Sequence, residues 1–132
     1  MKKLYVVKKG ETNMKDIKKY EYDFLKKVIL RLKKTEWNRQ DLKFIYTQFK
    51  IFIEKINVDE ASVLRFGEVL LGQYCNVDYS NIQNVRQNIE IILDTDELTT
   101  TVSTVIIAAI VLLSLAATDV DNEYKIKDVG EN

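Results

Sequence analysis

Apolar residues recur at helical spacing in four successive segments of residues 14–97, and polar residues fill the positions between them. An α-helix turns once in 3.6 residues, so apolar positions three, four and seven residues apart share one face. The spacing predicts four amphipathic helices, two of them over 14–34 and 39–56 and two that end near Tyr74 and Leu93. In the first of them the expected apolar face comprises Ile17, Tyr20, Phe24, Leu25, Val28, Ile29 and Leu32.

The connections between these helices contain residues that favour helix ends. Asn57 followed by Glu60 has the form of a capping box, which predicts the start of the third helix. The acidic segment 94–97 places negative charge before the next helix, where the helix macrodipole favours it. Trp37 lies between the first two helices and is expected to anchor their connection.

The 21 residues 98–118 contain no charged side chain, although 30 % of the whole sequence is charged. A helix without a polar face must lie inside a protein or inside a membrane. Seven of these residues are Ser or Thr, and acidic residues rather than lysine, arginine or aromatic residues flank the segment, so we favour a buried central helix. A single membrane span is the alternative. The residues expected in the core or in an interface include Val105, Ile106, Ile110 and Leu113.

The fold class that follows is mainly α, a small bundle of about five helices with an apolar C-terminal helix and short terminal β-strands. LYVV at Leu4–Val7 and the alternating EYKIK at 123–127 predict those strands. A chain of 132 residues without a Pro-rich or Gly-rich linker is expected to form one domain. Its expected parts are a strand and turn (1–13), four amphipathic helices (14–97), the apolar central helix (98–118) and a polar tail (119–132).

The net charge of zero results from two halves of opposite sign. Residues 1–56 contain 16 basic and 7 acidic side chains, and residues 57–132 contain 4 basic and 13 acidic ones. If the fold keeps the halves apart, one copy presents a basic surface to the acidic surface of the next, which favours head-to-tail association or an oppositely charged partner. The alternative is that the two halves pack together and their charges cancel.

Most of the basic residues of the first helix fall on the surface opposite its apolar face, and they form the predicted interaction surface. Such a surface could bind phosphate groups, but the sequence offers no arginine cluster and no exposed aromatic platform, so nucleic acid is not the favoured partner. We expect a protein partner or a second copy of this chain. The surface comprises Lys18, Lys19, Lys26, Lys27, Arg31, Lys33 and Lys34.

The sequence contains no pattern of residues that nominates a catalytic or metal site. It has no histidine, which removes the commonest general base and zinc ligand, and Cys75 is its single cysteine. No glycine-rich phosphate loop or nucleophile motif occurs. The acidic clusters at 94–97 and 119–123 are explained by helix capping and solubility. We therefore predict a non-enzymatic protein without a cofactor or a metal ion.

These features predict a protein that acts by protein–protein interaction. The favoured version is a self-associating structural component, such as a subunit of a phage or viral particle. One alternative is a small inhibitor or immunity protein that binds a toxin or defence enzyme, and another is a membrane protein with one span at 98–118. Since no signal peptide is visible, we expect a cytoplasmic or virion location, with the membrane as the alternative.

Overall fold

The computed structural model describes the backbone of residues 14–130 and the side chains of residues 16–119. Five α-helices follow one another in this part of the chain, and no strand occurs in it, which confirms the mainly α fold with five helices. The two predicted terminal strands lie outside the described side chains and stay predictions. The helices are α1 (Met14–Arg31), α2 (Arg39–Ile56), α3 (Glu60–Tyr74), α4 (Ile82–Leu93) and α5 (Thr100–Gly130).

The ends of α2 differ in part from what the sequence predicts. Asn38 caps its start, and a capping box joins Asn38 to Asp41. Asn57 does not begin α3 as predicted but ends α2, with a φ of 54° in the left-handed region that asparagine tolerates. Asp59 is the residue that caps α3, by accepting a hydrogen bond from the backbone N–H of Ser62 at 3.3 Å.

The apolar helix α5 is the centre of the bundle, because each of the other four helices packs against it. Its residues 105–111 are fully buried, which confirms that Val105, Ile106 and Ile110 belong to the core. Leu113 is half-buried and packs against that core. By length and composition α5 is also the one described helix that could cross a membrane. Within this single chain, however, the other helices cover its apolar centre.

The helices α3 and α5 approach each other closely at Gly67. A Cβ atom built on Gly67 would lie 2.2 Å from the backbone carbonyl oxygen of Val105, which leaves no room for a side chain. Gly72, on the same helix, would place its Cβ in open space. The sequence alone does not distinguish these two glycines. Of these two glycines, Gly67 is the one that lies at a helix–helix contact.

Polar side chains fix both ends of the buried part of α5. At its start the hydroxyls of Thr100 and Thr101 donate to the buried carboxylate of Glu21 in α1, at 3.2 and 2.7 Å. Further along, the guanidinium Nε of Arg39 donates to Thr118 Oγ1 at 3.0 Å. These hydrogen bonds connect α5 to the first two helices at positions about 20 Å or more apart along its axis, given a rise of about 1.5 Å per residue.

The connection between α1 and α2 packs on α4. Trp37 is buried, and its indole N–H donates to the carbonyl oxygen of Arg31 at the end of α1, at 3.1 Å. Its backbone N–H and carbonyl both pair with the amide side chain of Gln83, at 3.1 and 2.6 Å. Arg86 donates to the carbonyl oxygen of Lys34 at 2.9 Å. This geometry places Trp37 as an anchor between helices.

The two charged halves meet mainly through α5, which carries no charge between residues 100 and 118. The helices α1 and α2 pack on each other and on α5, whereas α3 and α4 each pack on α5. Among the described side chains, residues 16–56 contain eleven basic and six acidic groups, and residues 57–119 contain two basic and nine acidic groups. The folded chain therefore carries a basic region on α1 and α2, whereas the excess of acidic groups in residues 57–119 lies mostly in the segments that connect the other helices.

Candidate functional site

A groove runs along the outer surface of α1 and α2. It consists of two adjoining cavities of about 530 and 390 Å³, which meet at Lys27 and Leu30 because these two residues line both. We call this surface the basic groove. The larger cavity is lined by Tyr20, Asp23, Phe24, Lys26, Lys27, Leu30, Gln48, Ile51, Phe52 and Lys55, and the smaller by Lys27, Leu30, Arg31, Lys33, Lys34 and Phe44.

The basic groove has an apolar floor and an apolar rim. Phe24 and Phe52 lie beneath it, with ring centroids 6.4 Å apart, and both rings are buried. Leu30 and Ile51 stand at its edge and are 58 % and 41 % exposed. Leu30 and Ile51 belong neither to the buried core nor to the apolar side chains packed against it, so the bundle does not depend on their burial. They are available for burial against a partner.

Two of the cations in the basic groove are fixed by a buried carboxylate. Asp41 accepts from Arg31 Nη1 and from Lys34 Nζ, each at 3.0 Å, and from the Asn38 backbone N–H at 2.8 Å. Burial by itself raises the pKa of the Asp41 carboxyl, but the Asn38 N–H and the charges of Lys34 and Arg31 outweigh burial and hold that pKa below its ordinary value. The Arg31 guanidinium also lies over the Phe44 ring, 3.9 Å from its centroid. Arg31 and Lys34 are thus largely occupied within the fold.

Three lysines of the basic groove remain available to a partner. Lys26, Lys27 and Lys33 are exposed, and none of them forms an ion pair with another described residue. Asp23 is the one carboxylate among the lining residues of the groove. The groove therefore carries a positive charge that is not neutralised locally.

The structure brings five of the seven predicted surface residues together in the basic groove. These are Lys26, Lys27, Arg31, Lys33 and Lys34. The other two, Lys18 and Lys19, are exposed on α1 but line neither cavity. They give a matched control for Lys26 and Lys27, since all four lysines lie on α1 and carry the same charge.

Sequence reasoning missed the contribution of α2 and assigned one residue of α1 to the wrong face. Ile29, predicted in the apolar face of α1, is 52 % exposed, because the helix buries Leu25 and Val28 and turns Ile29 outward. From α2 the groove gains Ile51 and Lys55. The one sequence signal for Ile51 is that it falls off the heptad-like apolar spacing of α2.

An acidic turn joins α4 to α5. Asp94, Asp96 and Glu97 are exposed and form no ion pair with another described residue, and we call 94–97 the acidic turn. Next to it on α4, Ile91 is 50 % exposed. The Thr95 hydroxyl donates to the Ile91 carbonyl oxygen at 2.7 Å and so ties the turn to the end of α4.

The described side chains offer little reactive chemistry. No group of three or more His, Cys, Asp or Glu side chains among them is placed to hold a metal ion. Cys75 is half-buried at the end of α3, and burial raises the pKa of its thiol, which lowers the fraction of nucleophilic thiolate. The burial of Tyr46, together with the nearby Glu60 carboxylate, likewise raises the pKa of the Tyr46 hydroxyl.

No protein-family model matches this sequence, and searches among curated proteins and solved structures found no similar chain. The charge and shape of the two surfaces are therefore the basis for assigning a function.

Proposed function

We propose that this is a non-enzymatic assembly protein that binds further copies of itself through surfaces of opposite charge. The observation that carries the proposal is the basic groove, a concave surface with unpaired lysines and exposed aliphatic side chains, in a molecule whose residues 57–119 carry an excess of acidic groups. Contacts between two different surfaces of identical subunits are heterologous, so they build rings or filaments. The proposal extends to a subunit of a phage or viral particle, where such contacts are repeated.

The apolar rim favours a protein partner over nucleic acid. An exposed ion pair contributes only about 0.2–1 kcal/mol, so the lysines alone provide attraction and a preferred orientation rather than tight binding. Burial of Leu30 and Ile51 supplies the non-electrostatic part, and neither phosphate groups nor sugars would cover these side chains. Since both contributions are modest, we expect association that depends on concentration and weakens with salt.

The test is the mass of the protein by light scattering after gel filtration, without detergent, over a range of concentrations. We expect oligomers at about 0.05 M salt that dissociate toward the monomer at about 0.5 M salt, where surface charges are screened within a few ångströms. The variant Lys26→Glu/Lys27→Glu should remain monomeric under both conditions. Its matched control, Lys18→Glu/Lys19→Glu, removes the same charges outside the groove and should associate like the wild type. A wild-type protein that stays monomeric at every concentration refutes the proposal.

A second candidate function rests on α5, which has the length and composition of a membrane span. In that case the four amphipathic helices would cover α5 only before insertion. Recovery of the protein from the membrane fraction of expressing cells, with release only by detergent, would favour this candidate. Recovery in the soluble fraction without detergent counts against it. A soluble monomer that forms a tight 1:1 complex with a different protein would instead indicate an inhibitor.

A further inference from the structure

We infer that the segment of the neighbouring copy which enters the basic groove is the acidic turn, 94–97, together with Ile91. The inference rests on the proposed self-association and adds the identity of the second surface.

The acidic turn concentrates carboxylates that the fold does not use. Most other acidic groups of residues 57–119 are engaged within the chain, so they are less available for an intermolecular contact. Asp59 accepts a hydrogen bond from Ser62, Glu60 from Tyr46 and Asp78 from Ser80. Glu90 forms an ion pair with Arg86, and Asp119 forms one with Arg39. By contrast, three carboxylates lie within four consecutive residues of the acidic turn, and the basic groove offers three unpaired lysines. The two sets can neutralise each other without breaking an ion pair of either fold.

The acidic turn also carries an apolar residue that suits the rim of the groove. Ile91 and Asp94 are three residues apart at the end of α4, and this spacing brings their side chains to the same side. The groove also combines an exposed apolar side chain with charged neighbours, but of the opposite sign, because Leu30 lies in sequence between Lys27 and Lys33. Docking would therefore bury Ile91 against Leu30 and Ile51 while carboxylates face lysines.

The order of the acidic turn lowers the entropy that docking must overcome. Besides the hydrogen bond from the Thr95 hydroxyl to Ile91, the Leu98 backbone N–H donates to the Thr95 carbonyl oxygen at 3.2 Å. A turn that is already held in one conformation loses less freedom on binding than an extended tail would. The groove likewise loses little freedom on binding, because its floor belongs to the packed core.

The experiment combines two variants that each lose one surface. The turn variant is Asp94→Lys/Asp96→Lys, and the groove variant is Lys27→Glu/Lys33→Glu. Lysine at the end of α4 is favourable for the macrodipole of that helix and offsets the loss of negative charge before α5, so the turn variant should fold normally, as circular dichroism and thermal melting can verify. The matched control is Glu68→Lys, an exposed acidic position on α3 far along the chain from the turn.

Each variant alone should be monomeric at the concentrations where the wild type associates, with self-association weakened at least tenfold. When the two are mixed, the intact groove of the turn variant can accept the intact turn of the groove variant. The reversed turn of the first variant also carries a charge opposite to that of the reversed groove of the second, so the mixture should recover association at low salt, and Glu68→Lys should associate like the wild type. If the turn variant associates like the wild type while the groove variant is monomeric, the inference is overturned and the proposed function stands. If the wild type itself never associates, the proposed function fails.

Discussion

Replacement of Gly67 by alanine tests the central packing of the bundle. The Cβ atom of the new residue would lie 2.2 Å from the Val105 carbonyl oxygen, 2.9 Å from its carbonyl carbon and 3.1 Å from the Ala109 Cβ. Favourable non-bonded contacts begin near 3.5 Å, so the two helices must separate by roughly 1 Å. Because two of the three obstructing atoms belong to the backbone, no change of rotamer can relieve the contact.

Two opposing contributions determine how much Gly67→Ala changes the free energy of unfolding. Overpacking costs about 1–3 kcal/mol, and a rigid backbone obstacle places this site at the upper end of that range. Alanine gains about 1 kcal/mol over glycine in helix propensity. We therefore expect Gly67→Ala to lower the free energy of unfolding by about 2 kcal/mol, which for a chain of this size lowers Tm by roughly 6–10 °C.

Gly72→Ala is the matched control on the same helix. Its Cβ meets no atom within 4 Å, so only the propensity term remains and the variant should gain about 0.5–1 kcal/mol. Urea unfolding followed by circular dichroism, together with thermal melts, measures both variants. If Gly67→Ala is as stable as Gly72→Ala, then α3 does not lie against α5 as described, and the burial of α5 by α3 is refuted with it.

Substitutions at three further positions probe the charged cluster around Asp41, the core and the start of α5. Asp41→Asn should lower the free energy of unfolding at pH 7 by about 1–3 kcal/mol, because it removes the charge that Arg31 and Lys34 surround. The folded-state pKa of Asp41 is lowered, so its contribution to stability is present above about pH 4 and is lost as the pH falls through the folded pKa. Urea titrations at pH 7 and pH 2.5 should show the difference in unfolding free energy between wild type and variant shrink. An equal difference at both pH values contradicts the assignment. Ile110→Ala should cost about 2–5 kcal/mol in urea unfolding, since Ile110 is fully buried, and a loss below 1 kcal/mol would place it outside a packed core. Glu21→Ala should cost about 1–3 kcal/mol and Glu21→Gln less, because glutamine keeps the packing and can still accept from one threonine hydroxyl; equal losses in the two variants would show that the charged carboxylate, rather than packing or a single acceptor oxygen, fixes the start of α5.

The helices could be predicted from the sequence because their burial pattern is periodic. Residues 39–56 show one apolar face, and the structure begins and ends α2 at these same residues. The buried centre of α5 was predictable for a different reason, since an uncharged run must leave water whatever surrounds it. The acidic flanking residues were needed to favour protein over membrane as its surroundings. In the structure the other four helices of the same chain pack on α5 and bury Ile106 and Ile110.

The groove could be predicted only in part, because it depends on how two helices meet. The lysines of α1 followed from its polar face, but Leu25, Val28, Ile29 and Leu32 share one apolar arc of about 100°, and the sequence does not show where along this arc burial ends. Which of them turns outward depends on the rotation of α1 against α2 and α5, and that rotation is a tertiary property. The exposure of Ile51 is likewise a tertiary property, since it depends on the position of α1 beside α2.

Two asparagines also show the limit of local sequence signals. Asn57 followed by Glu60 matches a capping box, yet its backbone adopts a left-handed conformation that closes the preceding helix. Asn38 forms the real capping box of α2 with Asp41. Asparagine favours both helix starts and helix ends, so the sequence around it does not decide between the two.

The position of α5 along the chain has a consequence for synthesis on the ribosome. The four helices that pack on α5 all precede it, and the hydrogen bonds that fix it join residues 79 or 80 positions apart. Until α5 emerges, the nascent amphipathic helices have no centre on which to bury their apolar faces. The chain therefore cannot complete its fold stepwise from the first helix, and the helices before α5 remain exposed to chaperones and to other nascent chains until α5 has left the ribosome.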